Sequence, residues 1–407
     1  MDANQDQLVV DNHHLDVVRK VLGQLKIQDY TEDAIPEFDL TLLNLKHIGK
    51  PEDEPDWKRV SDLDPVLTEV RARLAGHSGG WTPTIGKNRS MTSTFGAYPQ
   101  TKSQNFWDPE RREAPVPPDT WLKGDAGTGV RVGLVDTRVY RHADLPPASI
   151  TASPEDFSPK KIGDDCNFEE GHAVFTIGLI LKNAPGATVV AHAALGDDGK
   201  AEAWKVVKKL AQFLVPEPAD RVHLIVLASG CRTHDGMPPF ILERAIERLS
   251  PHITVVAAAG NHGIVEGMHP DTLVTRNSPT WPAALPGVVA VGVPVPPLPF
   301  PEADPVPHYS PDVPWVTCTV APTHGDTFVS TYLNSKLVKV LDGRIIDNLV
   351  TGYAAWRGTS CAAAVLGGAI AAKMPSTGMD AREALKQLIG TGGIKKFTWP
   401  AQPGVQA

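Results

Sequence analysis

The chain has 407 residues, 42% of them hydrophobic and 21% charged, enough for one large globular domain with an accessory segment. Its formal net charge of -8, with no run of Lys and Arg interleaved with aromatics, excludes nucleic acid as a partner class. No stretch approaches the roughly 18 apolar residues of a membrane span, and the start MDANQDQLVVDNHH lacks the basic and apolar regions of a secretory signal, so the expectation is a cytoplasmic chain with no membrane partner.

Residues 1–76 read as an N-terminal accessory or propeptide-like domain. Two amphipathic helices stand out: HLDVVRKVLGQLKI, with Leu15, Val18, Leu22 and Leu25 on one face, and DPVLTEVRARLAG, with Val66, Leu67, Val70 and Leu74. Between them FDLTLLNLKHI reads as either a strand or a short helix. Residues 77–120 are rich in Gly, Pro, Ser and Thr, lack periodicity and carry scattered Trp81, Phe95, Tyr98, Phe106 and Trp107, which predicts a linker wrapped over the domain. From residue 121 to 407, β-branched runs (VRVGLVD, TVVAHAAL, RVHLIVLAS, ITVVAAAG, VVAVGV) alternate with helical patterns (GHAVFTIGLILKN, KAEAWKVVKKLAQFL, PPFILERAIERLS). Continuous apolar strands separated by helices predict an α/β fold with a parallel sheet covered on both faces. The Pro-rich insert from Val293 to Pro314 reads as a rigid surface excursion.

In such sheets function gathers beyond the carboxyl ends of the strands. Asp136 ends the strand VRVGLVD, His172 opens an apolar helix, and Ser360 precedes the small-residue helix CAAAVLGGAIAA. Taken singly, each has an ordinary account: a cap or turn Asp, a helix-terminal or core His, an N-cap Ser. Together they offer a serine nucleophile, a base to take its proton and a carboxylate to orient the base, and Asp, His, Ser is one of the chain orders in which such a triad occurs. A helix N-terminus at Ser360 also favours a developing anion.

The motifs around these residues resemble the subtilisin-like serine protease family, the subtilases of peptidase S8 type. The segment GTGVRVGLVDTRVYRHADL is similar to the family's approach to its catalytic Asp, GHAVFTIG to its His motif, and VVAAAGN to the strand carrying its oxyanion Asn. SPTWPAALPGVVAVGV and YSPDVPWVTCTVAP follow the next two family segments, and GTSCAAAV the nucleophile motif. The resemblance implies a three-layer, mostly parallel sheet of about seven strands flanked by helices. It implies a serine endopeptidase working through an acyl-enzyme on a restricted peptide or protein substrate, with Asp136, His172 and Ser360 as the triad. Asn261 and the Ser360 backbone N–H would hold the oxyanion, set against a plain Gly-Asn turn at Asn261. Peptide substrates would add as a strand beside Ala228, Ser229, Gly230 and Cys231, and Ala258, Ala259 and Gly260 would complete the pocket with small residues that imply room. A transpeptidase or macrocyclase using the same acyl-enzyme and a non-catalytic peptide-binding module are the alternatives.

Arg138, Ala173 with Val174, and Ala364 with Val365 depart from the family pattern, and Arg138 and Val174 are expected to narrow or re-aim the site. Glu169 and Glu170 read either as partners for a basic substrate side chain or as a solvated helix start, and His262 as a substrate donor or a loop histidine. Cys166, Cys231, Cys318 and Cys361 form no C-x-x-C pair, so no zinc site and no disulfide framework is expected; Cys361 reads as a buried hydrophobe or a redox-sensitive thiol. No cofactor is expected; calcium is allowed by the resemblance, without an assignable site. The N-terminal order helix, ambiguous middle, helix does not give the alternating strands and helices of the propeptide many relatives carry. It reads equally as a retained accessory domain or as a propeptide that inhibits intramolecularly.

Overall fold

The computed structural model describes residues 3–46, 63–93, 110–111, 122–214, 220–233, 235–263, 275–294, 308–311, 313–323, 325, 327–341, 344–375, 378–390 and 394–396. The N-terminal unit runs β1 (Ala3–Asp11), α1 (Leu15–Gln24), β2 (Tyr30–Ile35), β3 (Leu40–Leu45), α2 (Leu63–His77) and β4 (Ile85–Ser93). Its strands form an antiparallel sheet in the order β4-β1-β3-β2. Strands and helices therefore alternate after all, and the ambiguous middle segment is strand. β4 also falls inside the stretch read as a linker.

Side-chain period explains how this sheet is used. Leu8, Val10, Leu43 and Leu45 face α1 and α2 in one cluster, while Val9, Leu40, Leu42 and Met91 pack against the larger domain. Both faces are covered. A strand buried on both faces loses its apolar-polar alternation, which is why LTLLNL was ambiguous.

The larger domain begins with two short pieces, β5 (Glu110–Arg111) and then β6 (Arg131–Asp136), and continues through β7 (Ile150–Thr151), β8 (Asp165–Cys166), α3 (His172–Asn183), β9 (Thr188–Ala193), β10 (Lys200–Glu202) and α4 (Ala203–Ala211). It goes on with β11 (Leu224–Leu227), β12 (Ser229–Gly230), α5 (Phe240–Leu249), β13 (Thr254–Ala258), β14 (Val288–Gly292), β15 (Cys318–Val320), β16 (Phe328–Leu341), β17 (Arg344–Trp356), α6 (Thr359–Lys373), α7 (Ala381–Leu388) and β18 (Ile394–Lys396). The main sheet has the order β18-β15-β14-β13-β11-β6-β9-β7, parallel throughout except for β18. α3, α6 and α7 pack one face and α4 and α5 the other, giving three layers. The predicted strands and helices of this domain are present, with Lys200–Glu202 as a short strand ahead of α4.

α3 and α6 lie side by side. A β-carbon on Gly368, nine residues into α6, would stand 2.5 Å from the carbonyl oxygen of Ile180, eight residues into α3. Only a residue without a side chain permits that approach. Asp136, bonded to His172, also acts on the Cys361 thiol beside Ser360, so the two helix starts are neighbours as well as the ninth residue of α3 and the tenth of α6; the helices run in the same direction, and His172 and Ser360 emerge at one end.

Residues 295–307 of the Pro-rich insert, residues 94–109 and 112–121 of the predicted linker, and with them Phe95, Tyr98, Phe106 and Trp107, lie outside the described residues. Among the described residues no helix is long and apolar enough to cross a membrane.

Candidate active site

β6 delivers Asp136 to the carboxyl edge of the sheet, where it is 1% exposed. Its Oδ1 accepts from the Thr137 backbone N–H at 2.7 Å and lies 2.6 Å from His172 Nδ1. Thr137 Oγ1 in turn accepts from the Ala173 N–H at 3.1 Å, tying the strand end to the first turn of α3. That turn is set by a capping box in which Asn167 and Glu170 bond reciprocally across the short helical turn Phe168–Gly171. His172, also 1% exposed, presents its ring edge to Trp356 with centroids 5.9 Å apart, and Trp356 packs against Phe175 and Tyr332 as well. Carboxylate and aromatic wall together fix the orientation of the imidazole.

Ser360 is the second residue of α6 and fully buried; its Oγ lies 3.9 Å from Cys361 Sγ. Asn261 follows β13, and its Oδ1 accepts from the Thr359 N–H at 3.0 Å. Thr359 Oγ1 accepts from the Gly260 N–H, also at 3.0 Å. These two bonds clamp the Gly260–Asn261 turn to the start of α6, and with the carboxamide oxygen engaged, donation from Asn261 comes from its Nδ2 end. Asp136 and His172 are thus directly joined, Asn261 is joined to the residue before Ser360, and parallel α3 and α6 bring the two groups to one end.

The expected substrate strand is present as β12, and it is paired. β4 runs antiparallel to it, with Ser93 opposite Ser229 and Thr92 opposite Gly230. On its other edge β4 pairs with β10, with Met91 opposite Ala201, and the Ser93 N–H donates to Gly199 O at 2.7 Å. A strand of the N-terminal unit therefore sits between β10 and β12, on the edge where a substrate strand was expected to add.

Residues 127–392 match the profile described as the Subtilase family. The chain belongs to the subtilase family. Subtilisin BL from Lederbergia lenta is 27% identical over 193 residues, 46% of this chain and 62% of that relative, so the match spans less than two thirds of the relative's length. Among solved structures, fervidolysin from Fervidobacterium pennivorans, described as a keratinolytic enzyme related to subtilisin, aligns over 98% of this chain and 62% of its own, with a TM-score of 0.59 and 14% identity. A lanthipeptide protease aligns over 65% of this chain and 80% of its own, with a TM-score of 0.44 and 22% identity.

Within this subtilase several sequence expectations change. Val174 is fully buried in the core rather than exposed to a substrate, and its carbonyl accepts from Thr331 Oγ1. Arg138 is exposed on the rim of a cavity of about 550 Å³ that also holds Asp197, Lys205 and Lys209. Glu170 is consumed by its capping box and by Lys160 at 2.7 Å, so it is a structural carboxylate. All four cysteines are free and buried. Complete burial pushes the Cys361 thiol up to about 12, which keeps it protonated and removes the reactivity a redox switch needs.

Ala258, Ala259 and Cys231 send their side chains into core clusters, so the groove walls they form are backbone. The room expected between the glycine walls is also reduced, because Thr280 and His262 approach Gly230 and Gly260 closely. Thr280, which the sequence did not single out, comes close to both glycines; its place directly before Trp281-Pro282 is the one signal that marks it. Among the described residues no group of three or more His, Cys, Asp or Glu side chains is placed to hold a metal ion.

Proposed function

We propose that this chain is a serine endopeptidase in which Ser360 is the nucleophile, His172 the general base, Asp136 its orienting carboxylate and Asn261 an oxyanion donor. The observation that carries this reading is the buried 2.6 Å bond between His172 Nδ1 and Asp136 Oδ1, at the end of the molecule where α6 presents Ser360. Ser360 Oγ attacks the peptide carbonyl carbon as His172 Nε2 takes its proton. Asp136 holds the tautomer that leaves Nε2 basic and stabilises the imidazolium. The carbonyl oxygen, now an oxyanion, accepts from Asn261 Nδ2–H and the Ser360 backbone N–H. Collapse breaks the C–N bond, and His172 returns the proton to the leaving amine. Water then attacks the acyl-serine by the same route in reverse.

The N-terminal unit acts in this reading as an intramolecular inhibitor, supported by β4 seated between β10 and β12 where a substrate strand would add. Asn88 on β4 strengthens the docking, its side-chain oxygen accepting from the Trp204 backbone N–H in the first turn of α4 at 2.9 Å. Hydrolysis of a fluorogenic peptide pool tests the catalytic half: activity lost in both Ser360→Ala and His172→Ala is expected, and a variant of either that keeps wild-type turnover refutes it. For the inhibitory half, added peptide 1–93 is expected to inhibit a processed enzyme.

A further inference from the structure

Beside Asn261 two backbone walls face a common slot, β12 at Gly230 and the turn at Gly260. Thr280 lies between them. Its Cγ2 stands 2.7 Å from where a β-carbon on Gly230 would be, and its Oγ1 stands 2.5 Å from where one on Gly260 would be. His262 Nδ1 reaches the same place, 2.8 Å from the Gly260 position. Reciprocal backbone bonds between Cys231 and Trp281, at 2.9 and 2.8 Å, hold the Thr280 segment against the first wall.

Two buried polar atoms beside these walls have unmet hydrogen-bonding capacity. Thr280 Oγ1 and His262 Nδ1 are buried and make no hydrogen bond among the described residues, in side chains of residues that are 3% and 0% exposed. The other ring nitrogen of His262 lies 2.7 Å from the Ser278 carbonyl oxygen. A carbonyl can only accept, so Nε2 carries the proton and Nδ1 offers a lone pair. Burial, with Arg232 nearby, pushes this imidazole down to about 3, so it stays neutral at working pH. Buried groups of this kind are costly unless something pairs with them.

An extended chain passes this point, as the pairing of β4 with Ser229 and Gly230 demonstrates. We infer that the slot receives the P1 side chain, the one preceding the scissile bond, and selects a short neutral side chain bearing a hydroxyl or carboxamide: Ser, Thr, Asn or Gln. This rests on the peptidase reading above. A carboxamide satisfies both atoms at once, its NH2 donating to His262 Nδ1 and its oxygen accepting from Thr280 Oγ1–H. A hydroxyl donates to the first and accepts from the second. Large apolar side chains meet Thr280 and leave both atoms unpaired. A carboxylate opposes the Nδ1 lone pair, and Lys or Arg meets the charge of Arg232.

Digestion of a proteome-derived peptide library, with cleavage sites read by mass spectrometry, tests this without assuming a register. Wild type is expected to enrich Ser, Thr, Asn and Gln at P1. In matched peptides, Thr280→Val is expected to lower the kcat/KM ratio of P1 Asn to P1 Leu by roughly tenfold, while Thr280→Ser keeps it and Thr280→Gly admits larger apolar residues. The rate of Ser360 labelling by a fluorophosphonate reports that each variant retains its fold and site. A wild type that labels at Ser360 yet cleaves after aromatic, aliphatic or charged residues overturns the P1 inference alone. A wild type that neither labels nor cleaves any peptide, with residues 1–93 removed, overturns the peptidase reading and this inference with it.

Discussion

At the scale of single residues, the site depends on groups whose orientation is set by bonds to backbone. Asn261 is the clearest case: its oxygen is held by the Thr359 N–H, so its donor end is aimed before substrate arrives. Preorganised donors of this kind act on the transition state more than on the ground state. Asn261→Ala is therefore expected to lower kcat by about 10² to 10³ with little change in KM, and steady-state kinetics that show the loss in KM instead would contradict that role. Asp136, His172, Asn261 and Ser360 stand out in the sequence as candidates because each lies at the end of a strong element within a recognisable motif. Thr280 was not legible. Its role comes from meeting Gly230 and Gly260, distant in sequence, which no local pattern records.

At the scale of elements, the pair α3 and α6 is what brings His172 and Ser360 to one end, and its spacing is set by glycine. Gly368 meets the Ile180 carbonyl, and on the outer side of α3 Gly178 meets Ser330 and Thr331 of β16. A methyl group at position 368 must push the helices apart. Gly368→Ala is expected to destabilise the protein by about 1–3 kcal/mol, read as a lower midpoint in denaturant, and to slow turnover by shifting Ser360 relative to His172; unchanged stability would contradict the packing account. The parallel strands and their helices were readable from apolar runs of the right length. β4 was not, since IGKNRSMTS has almost no apolar periodicity. It is held by main-chain pairing on its edges, with β1, β10 and β12, and by Gly86 admitting the Phe240 ring.

At the scale of the whole molecule, the N-terminal unit is joined to the larger domain by an apolar face and by matched charges. Asp11 pairs with Arg244, Asp33 with Lys208 and the Trp204 indole, and Asp39 with Arg248. Burial raises the Asp11 and Asp33 carboxyls, but hydrogen bonds outweigh it and both lie below the usual carboxylate range; at Asp11 the His13 bonds are internal to the unit, so the part linked to docking comes from Arg244 there and from Lys208 and Trp204 at Asp33. Groups with a lowered pKa favour docking above their free pKa and lose that contribution as the pH falls through the docked value. Acidification below about pH 4 is therefore expected to weaken inhibition by the N-terminal unit, measured as a rising inhibition constant of peptide 1–93; tighter binding in acid would contradict it. The central claim, that Ser360 is an activated nucleophile served by His172, is tested most directly by fluorophosphonate labelling followed by intact mass. The account predicts one adduct, mapped to Ser360, on protein freed of residues 1–93, and none on Ser360→Ala or His172→Ala. Unlabelled wild type under those conditions, or equal labelling of the His172 variant, would contradict it.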